Sequence, residues 1–257
     1  MISRPDTAVA TVDPALWLDR PVPAPAARHR LICFPHAGGS AGFFRDWGAQ
    51  LTDFEVLAVR YPGRGERIAE PLPEDLTLLA RDICAALAAS ADDRPLVLFG
   101  HSMGAAVALE TARALEQSGI PVAHLFASGS RDGALPLPES GDDGDDEAVI
   151  ARLITLGGTG ADAAADPLFT QLVLPAVRGD GKMFHSYAST SYPPLRCPVT
   201  AIVGDRDEDA DVRPWHELTP AFDQRVVAGG HFYLLDLRPF GLLRAGLAAR
   251  RPDVALV

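Results

Sequence analysis

Leu96-Val97-Leu98-Phe99-Gly100-His101-Ser102-Met103-Gly104-Ala105 decides the fold of this chain. Four apolar residues lead into Gly100, and an Ala-rich stretch then runs to about Ser118, where Gly119 and Pro121 stop it. The first run reads as a buried strand and the second as a helix. Gly100-His101-Ser102-Met103-Gly104 between them fits G-x-S-x-G. In that pattern a sharp turn holds the serine in a strained backbone conformation and lifts its oxygen above the sheet. Gly100 and Gly104 leave room where strand and helix approach each other. The helix N-terminus favours negative charge developing nearby.

The same rhythm extends on both sides. Leu31-Ile32-Cys33-Phe34 is an apolar run stopped by Pro35 and Gly38-Gly39, and Val56-Leu57-Ala58-Val59 is another, stopped by Pro62-Gly63. Leu76, Leu79, Ala80, Ile83, Cys84 and Leu87 recur at helical spacing after Pro73-Glu74-Asp75. Val122 to Ala127, Val199 to Val203 and Gln224 to Ala228 read as strands, and Leu242 to Ala249 as a final helix. Short apolar strands alternating with helices predict a mostly parallel sheet covered on both faces. Residues 1–29, rich in Pro and Ala, read as an irregular arm pinned by Trp17. From about Leu135 to Arg196 the alternation breaks. Acidic Gly141 to Glu147 reads as a solvated loop, followed by helical pieces at Ala148 to Leu156 and Leu168 to Val177. The expectation is a single α/β-hydrolase domain over residues 1–257, carrying a helical lid insertion at 135–196.

A serine hydroxyl needs a base, and the base needs an orienting carboxylate. Where G-x-S-x-G supplies the nucleophile, the chain order is Ser, acid, His. Of the seven histidines, His29 lies in the arm, His36 and His101 precede the serine, and His124 lies within a strand. His185 and His216 fall in helical or loop contexts. His231 follows the last strand and Gly229-Gly230, so it is the expected base. The loop after the preceding strand, Gly204-Asp205-Arg206-Asp207-Glu208-Asp209, offers Asp207 as the acid. Asp205 reads as a turn residue, Asp209 and Asp211 are fallbacks, and Asp132 is a rival one strand earlier. The tetrahedral intermediate needs two donors. Met103 N–H is one, and the small-residue loop Pro35-His36-Ala37-Gly38-Gly39 points to Ala37 N–H as the other. His36 reads as a brace for that loop and His101 as packing at the elbow.

Bulk properties narrow the function further. The formal net charge of −11 argues against non-specific nucleic-acid binding, which uses a basic face. Cys33, Cys84 and Cys197 are odd in number and widely spaced, so no disulfide framework is implied; Cys33 and Cys84 read as small core residues and Cys197, before a Pro, as structural. No H-e-x-x-H pattern or Cys/His ligand spacing is present, so no metal or other cofactor is expected. No charged start precedes an apolar stretch at the N-terminus, and no apolar run reaches membrane-spanning length. A soluble cytoplasmic protein that contacts no membrane is expected.

The chain also resembles the type II thioesterases, the free-standing editing hydrolases of polyketide and non-ribosomal peptide synthases. The matching segments are Leu31 to Ser40, Tyr61-Pro62-Gly63-Arg64-Gly65-Glu66-Arg67, Phe99 to Ala105, Leu174-Pro175-Ala176-Val177-Arg178 and Gly230-His231-Phe232-Tyr233-Leu234. The resemblance implies hydrolysis of acyl groups from the phosphopantetheine arm of acyl or peptidyl carrier protein domains, by a monomer. Ser102, Asp207 and His231 fall on the family's triad positions, and Ala37 and Met103 on its oxyanion positions. Arg131-Asp132-Gly133, Gly179 and the acidic stretch Gly141 to Glu147 depart from the family pattern, which bears on acyl-chain preference. Because carrier proteins are acidic, Arg60, Arg64 and Arg67 are candidates for docking. An internal ion-pair cluster with Glu66 and Glu70 is the alternative. A general esterase acting on small soluble esters would use the same residues, and a non-catalytic binding protein of this fold would more often have lost one of them.

Overall fold

The computed structural model describes residues 12–135, 144–187 and 193–248. Strands β1 (Leu18–Asp19), β2 (His29–Phe34), β3 (Phe54–Val59), β4 (Leu96–His101) and β5 (Val122–Ser128) are followed by the short β6 (Ser130–Asp132). Then come β7 (Val199–Gly204), β8 (Asp211–Arg213) and β9 (Phe222–Val227). The main sheet has the order β1-β3-β2-β4-β5-β7-β9. Its strands are parallel except β1, which runs antiparallel to β3. Central strands β2, β3, β4 and β7 are buried at nearly every position. That is why they read as continuous apolar runs and not as alternating ones.

Helices α1 (Pro14–Trp17), α2 (Trp47–Gln50), α3 (Leu76–Ala89) and α4 (Met103–Gln117) belong to the first half. α3 is capped by Asp75, whose carboxylate accepts from the amides of Thr77 and Leu78, replacing bonds that the first turn lacks. Nearly all of α4 is buried, from Met103 to Ala112 without a break. Alanine suits it because small side chains let the helix lie close to the sheet on one side and α3 on the other. Cys33, Cys84 and Cys197 are free and buried.

The second half contains α5 (Asp146–Leu156), α6 (Ala161–Ala164), α7 (Leu174–Ser186), α8 (Trp215–Leu218) and α9 (Phe240–Ala248). Residues 141–143 of the acidic stretch lie outside the described residues. Its remainder is not a loop throughout: the Asp145 carboxylate accepts from Ala148 N–H and caps α5, and Asp146 and Glu147 form the first turn. Acidic residues belong there because the helix dipole favours them. The expected helix over Leu168 to Val177 is in fact a π-helical turn at Phe169–Val173 followed by α7, which continues to Ser186. Gly179 and Gly181 made an early end the natural expectation. Packing overrides that propensity, since Leu174, Ala176, Asp180 and Met183 are all buried along α7.

The N-terminal arm is also more ordered than its composition suggests. Asp13 caps the single turn of α1, and β1 pairs Leu18 with Val59. Trp17 does pin the arm: its ring lies under the Arg67 guanidinium at 4.0 Å, and its carbonyl accepts from Arg60 N–H at 2.8 Å.

Sheet order determines where a site can form. From β2 the chain moves to β3 on one side, then returns to place β4 on the other. Connections leaving β2 and β4 therefore diverge and open a crevice at the carboxyl ends of these strands, the usual ligand position in open α/β sheets. The Pro35–Gly39 loop follows β2, and Ser102 follows β4.

Candidate active site

Ser102 has φ 55° and ψ −125°, and among the described non-glycine residues it alone has a positive φ. Such a conformation costs about 1–3 kcal/mol and persists only where the surroundings enforce it. They do so here through backbone bonds: Ser102 N–H donates to Ser128 O at 2.8 Å, and Ser102 O accepts from Ala105 N–H at 2.8 Å. The flanking glycines are obligatory. A Cβ at Gly100 would lie 2.1 Å from Gly104 O, and one at Gly104 would lie 2.2 Å from Phe34 O.

His231 and Asp207 come from the loops after β9 and β7. Both are buried, and His231 Nδ1 lies 3.0 Å from each Asp207 carboxylate oxygen. Their loops are joined by backbone: Arg206 N–H donates to Gly229 O at 3.0 Å, and Gly229 N–H donates to Asp205 Oδ1 at 2.8 Å. Asp205 is therefore the turn residue that its position suggested. The His231 ring sits beside Gly129, whose added Cβ would meet His231 Cε1 at 3.1 Å. Gly129 directly follows Ser128, the residue that holds Ser102, so serine and imidazole share one end of β4 and β5. The rival acid faces another way. Asp132 lies 2.8 Å from His216 Nδ1, and Asp209 and Asp211 pair with Arg152 and Arg213.

Three amides in the loop after β2 are distinguished by their partners. Gly39 N–H donates to His36 O at 2.9 Å, and Gly38 N–H donates to Asp180 Oδ2 at 2.8 Å. Ala37 N–H is left without an acceptor among the described residues. Met103 N–H opens α4, where the first-turn amides have no partner within the helix. These are the two amides that the sequence singled out.

His36 and His101 complete the surroundings. His36 packs edge-on against Phe43 and Phe232, each 4.8 Å away between ring centres, and a Cβ at Gly39 would strike it at 2.9 Å. It braces the loop, as expected. His101 is fully buried and its Nδ1 lies 2.9 Å from Ser128 Oγ, which in turn lies 2.7 Å from Tyr233 Oη. Burial, with the nearby His231 and Arg64 charges, lowers the His36 pKa to about 3. Burial pushes His101 well below the ordinary value of 6.5, helped by His231 and His36 and opposed by its bond near Ser128. Both stay neutral when the protein is folded. Once unfolded they protonate near 6.5, so below that pH the unfolded chain binds more protons and gains stability relative to the fold. Stability should be full above about pH 6.5 and fall on acidification, by up to about 1.4 kcal/mol per pH unit for each such histidine. Thermal melts from pH 7.5 to 5 should show a declining Tm, and His101→Asn should reduce the slope. An unchanged Tm over that range would contradict the assignment.

Two of the three docking candidates, Arg64 and Arg67, are corrected by the structure. Arg64 and Arg67 are buried, about 5% exposed at the side chain, and so cannot serve as an open docking face. Arg67 pairs with Glu70 at 2.6 Å. Arg60 is partly exposed, bonded to Asp19 at 2.5 Å and 3.7 Å from Glu66. Arg64 makes a two-pronged pair with Asp180, with Nη2 to Oδ1 at 2.7 Å. The cluster alternative thus describes them better, yet it missed Asp180. Only the adjacent Arg178-Gly179 departure hinted at that segment. Gly179 itself accommodates Leu72, whose Cδ1 would lie 2.8 Å from an added Cβ. Tyr233 was also missed as a site residue, although it lies within the Gly230–Leu234 segment.

No group of three or more His, Cys, Asp or Glu side chains among the described residues could hold a metal ion. None of the described helices is long and apolar enough to cross a membrane.

The chain matches the thioesterase domain family over residues 29–244. It is 42% identical over 231 residues to thioesterase PikA5 of Streptomyces venezuelae, covering 88% of this chain and 82% of that protein. Among solved structures it is similar to BorB, the type II thioesterase from the borrelidin biosynthetic cluster. That match has a TM-score of 0.79 and 40% identity, covering 90% of this chain and 98% of the other. RedJ, a thioesterase from the prodiginine biosynthetic pathway in Streptomyces coelicolor, gives a TM-score of 0.77 and 34% identity over 89% of this chain and 94% of its own. The family match runs from the first residue of β2 into α9, so it takes in the elbow, the Asp207–His231 pair and the helices between them: this chain belongs to the thioesterase family.

Proposed function

We propose that this thioesterase removes acyl groups from the phosphopantetheine arm of acyl or peptidyl carrier proteins, as an editing enzyme of polyketide or non-ribosomal peptide synthesis. The observation that carries the reading is the strained Ser102 at the end of β4, beside an imidazole oriented by Asp207. His231 takes the Ser102 proton as the serine oxygen attacks the thioester carbonyl. Ala37 and Met103 amides receive the developing oxyanion; as the tetrahedral intermediate collapses the C–S bond breaks, and the departing pantetheine thiolate takes the proton from the His231 imidazolium, which restores the base. His231 then activates water to cleave the acyl-Ser102 ester. Helices α5 to α7 act as a lid over this crevice and set chain preference. The reading needs no cofactor beyond the partner's own phosphopantetheine.

The test is acyl release from a phosphopantetheinylated carrier protein, with Ser102→Ala as the blank. Release by the wild type at a rate well above the blank is expected. Cleavage of an aryl ester without release from the carrier would favour a general esterase.

A further inference from the structure

Asp180 occupies a position that hydrolysis by Ser102, Asp207 and His231 does not explain. It is a carboxylate with no exposed surface, on a helix that the fold could have packed with an apolar residue. Burying a carboxylate and a guanidinium costs several kcal/mol per ion before pairing recovers it, and an apolar pair is often as stable. The Arg64–Asp180 pair is thus a poor device for stability alone. What distinguishes it is the third bond. Asp180 Oδ2 also accepts from Gly38 N–H at 2.8 Å, inside the loop that carries Ala37.

That bond fixes the Ala37–Gly38 peptide plane on one side, while Gly39 N–H to His36 O closes the turn on the other. α7 presses on the same point. Gly38 has φ 73°, and a Cβ there would lie 2.3 Å from Val177 Cγ2. On the opposite side, Tyr61 Oη donates to Pro35 O at 3.2 Å, and the Arg64 guanidinium stands 5.3 Å from the Tyr61 ring. One carboxylate therefore ties the loop after β2, the loop after β3 and helix α7 to a common point.

We propose that Asp180 is a positioning residue of the reaction. It holds Gly38 N–H so that the neighbouring Ala37 N–H faces the oxyanion, and Arg64 holds Asp180 in turn. Seating α7 and completing the oxyanion hole are then one event, which makes the lid part of the catalytic apparatus as well as a cover. The proposal rests on the oxyanion role given above to Ala37, but not on the identity of the acyl carrier. It can accordingly be tested on an aryl ester, and a failure of the carrier assay would leave it standing.

The experiment compares Asp180→Ala with wild type, expressing kcat per site titrated by a fluorophosphonate so that unfolded protein is not counted. An alkylboronic acid serves as a second probe, because its tetrahedral serine adduct places an oxygen where the oxyanion forms. Asp180→Ala should lower kcat by about 10- to 100-fold, less than outright loss of a donor. Boronate affinity should fall in parallel, with KM within about threefold by the same differential-binding logic. The double variant Arg64→Leu/Asp180→Asn keeps an acceptor for Gly38 N–H without either charge, and it should recover a substantial part of the kcat lost in Asp180→Ala. Should Asp180→Ala not fold, Asp180→Asn and Asp180→Leu are compared in the Arg64→Leu background, with the loss confined to the Leu variant. The proposal is overturned by a kcat per titrated site that does not change, by boronate affinity that does not follow kcat, or by equal rates for Asn and Leu.

Discussion

Ser102→Ala should lower acyl-thioester hydrolysis by about 10⁴-fold or more while leaving the fold intact. In the proposed mechanism Ser102 cannot be replaced by its neighbours, because its oxygen is presented by a positive-φ backbone that no other described side-chain-bearing residue adopts. The residue's hydroxyl makes no capping bond to α4, so its removal costs little stability. Asp207→Asn should lose somewhat less, about 10³- to 10⁴-fold, since it keeps the shape of the pair but changes which His231 nitrogen carries the proton. Both rates can be followed by trapping the released thiol with a chromogenic disulfide. Ser102→Ala retaining more than roughly one hundredth of wild-type turnover would remove the serine from the mechanism, given the deficits that loss of a nucleophile normally brings.

The second large effect is on stability. Gly100→Ala should destabilise the protein by about 3 kcal/mol or more, because the new methyl meets backbone that cannot turn aside. Its neighbours would be Gly104 O at 2.1 Å, Gly104 C at 2.4 Å and Ala105 N at 2.6 Å. To admit it, α4 must move off the end of β4, which also releases Ser102 from its strained conformation. For a chain of this length the loss corresponds to a fall in Tm of roughly 6–12 °C. Gly241→Ala is the matched control. A Cβ there meets nothing within 4 Å, and in α9 alanine should be neutral or stabilising by up to about 1 kcal/mol. Calorimetry that found Gly100→Ala within 1 °C of wild type would show that strand and helix are not locked there.

The same contrast explains what could be read from the sequence. Ser102, Asp207 and His231 stood out because each lies at a strand end, and strand ends are marked by a change from apolar runs to glycine and polar residues. Ala37 and Met103 followed from chemistry, since an oxyanion needs amides near the serine. Asp180 was invisible to that logic. It lies in a segment broken by Gly179 and Gly181, and its partners Arg64 and Gly38 are 116 and 142 residues away. Long-range burial of a charge leaves no local pattern. Arg64 failed for the same reason: in a chain of net charge −11 an arginine reads as a surface cation until its buried partner is known. The short β6 and β8 were also missed, because three residues are too few to show a period.

The strand order has a further consequence, for how the enzyme comes into being. Neighbouring parallel strands cannot be joined by tight turns, so each pairing in the main sheet waits for a crossover to close. Such a chain pays loop-closure entropy before its contacts reward it, and it folds slowly compared with a helical bundle. The proposed reactive groups are spread along that path: Ser102 follows β4, whereas His231 follows β9, which comes last in chain order among the described strands. On a growing chain Ser102 and the Pro35–Gly39 loop are made long before His231, the base proposed to activate the serine. By the proposed mechanism, a chain cut short before β9 has the serine without its base and should not hydrolyse.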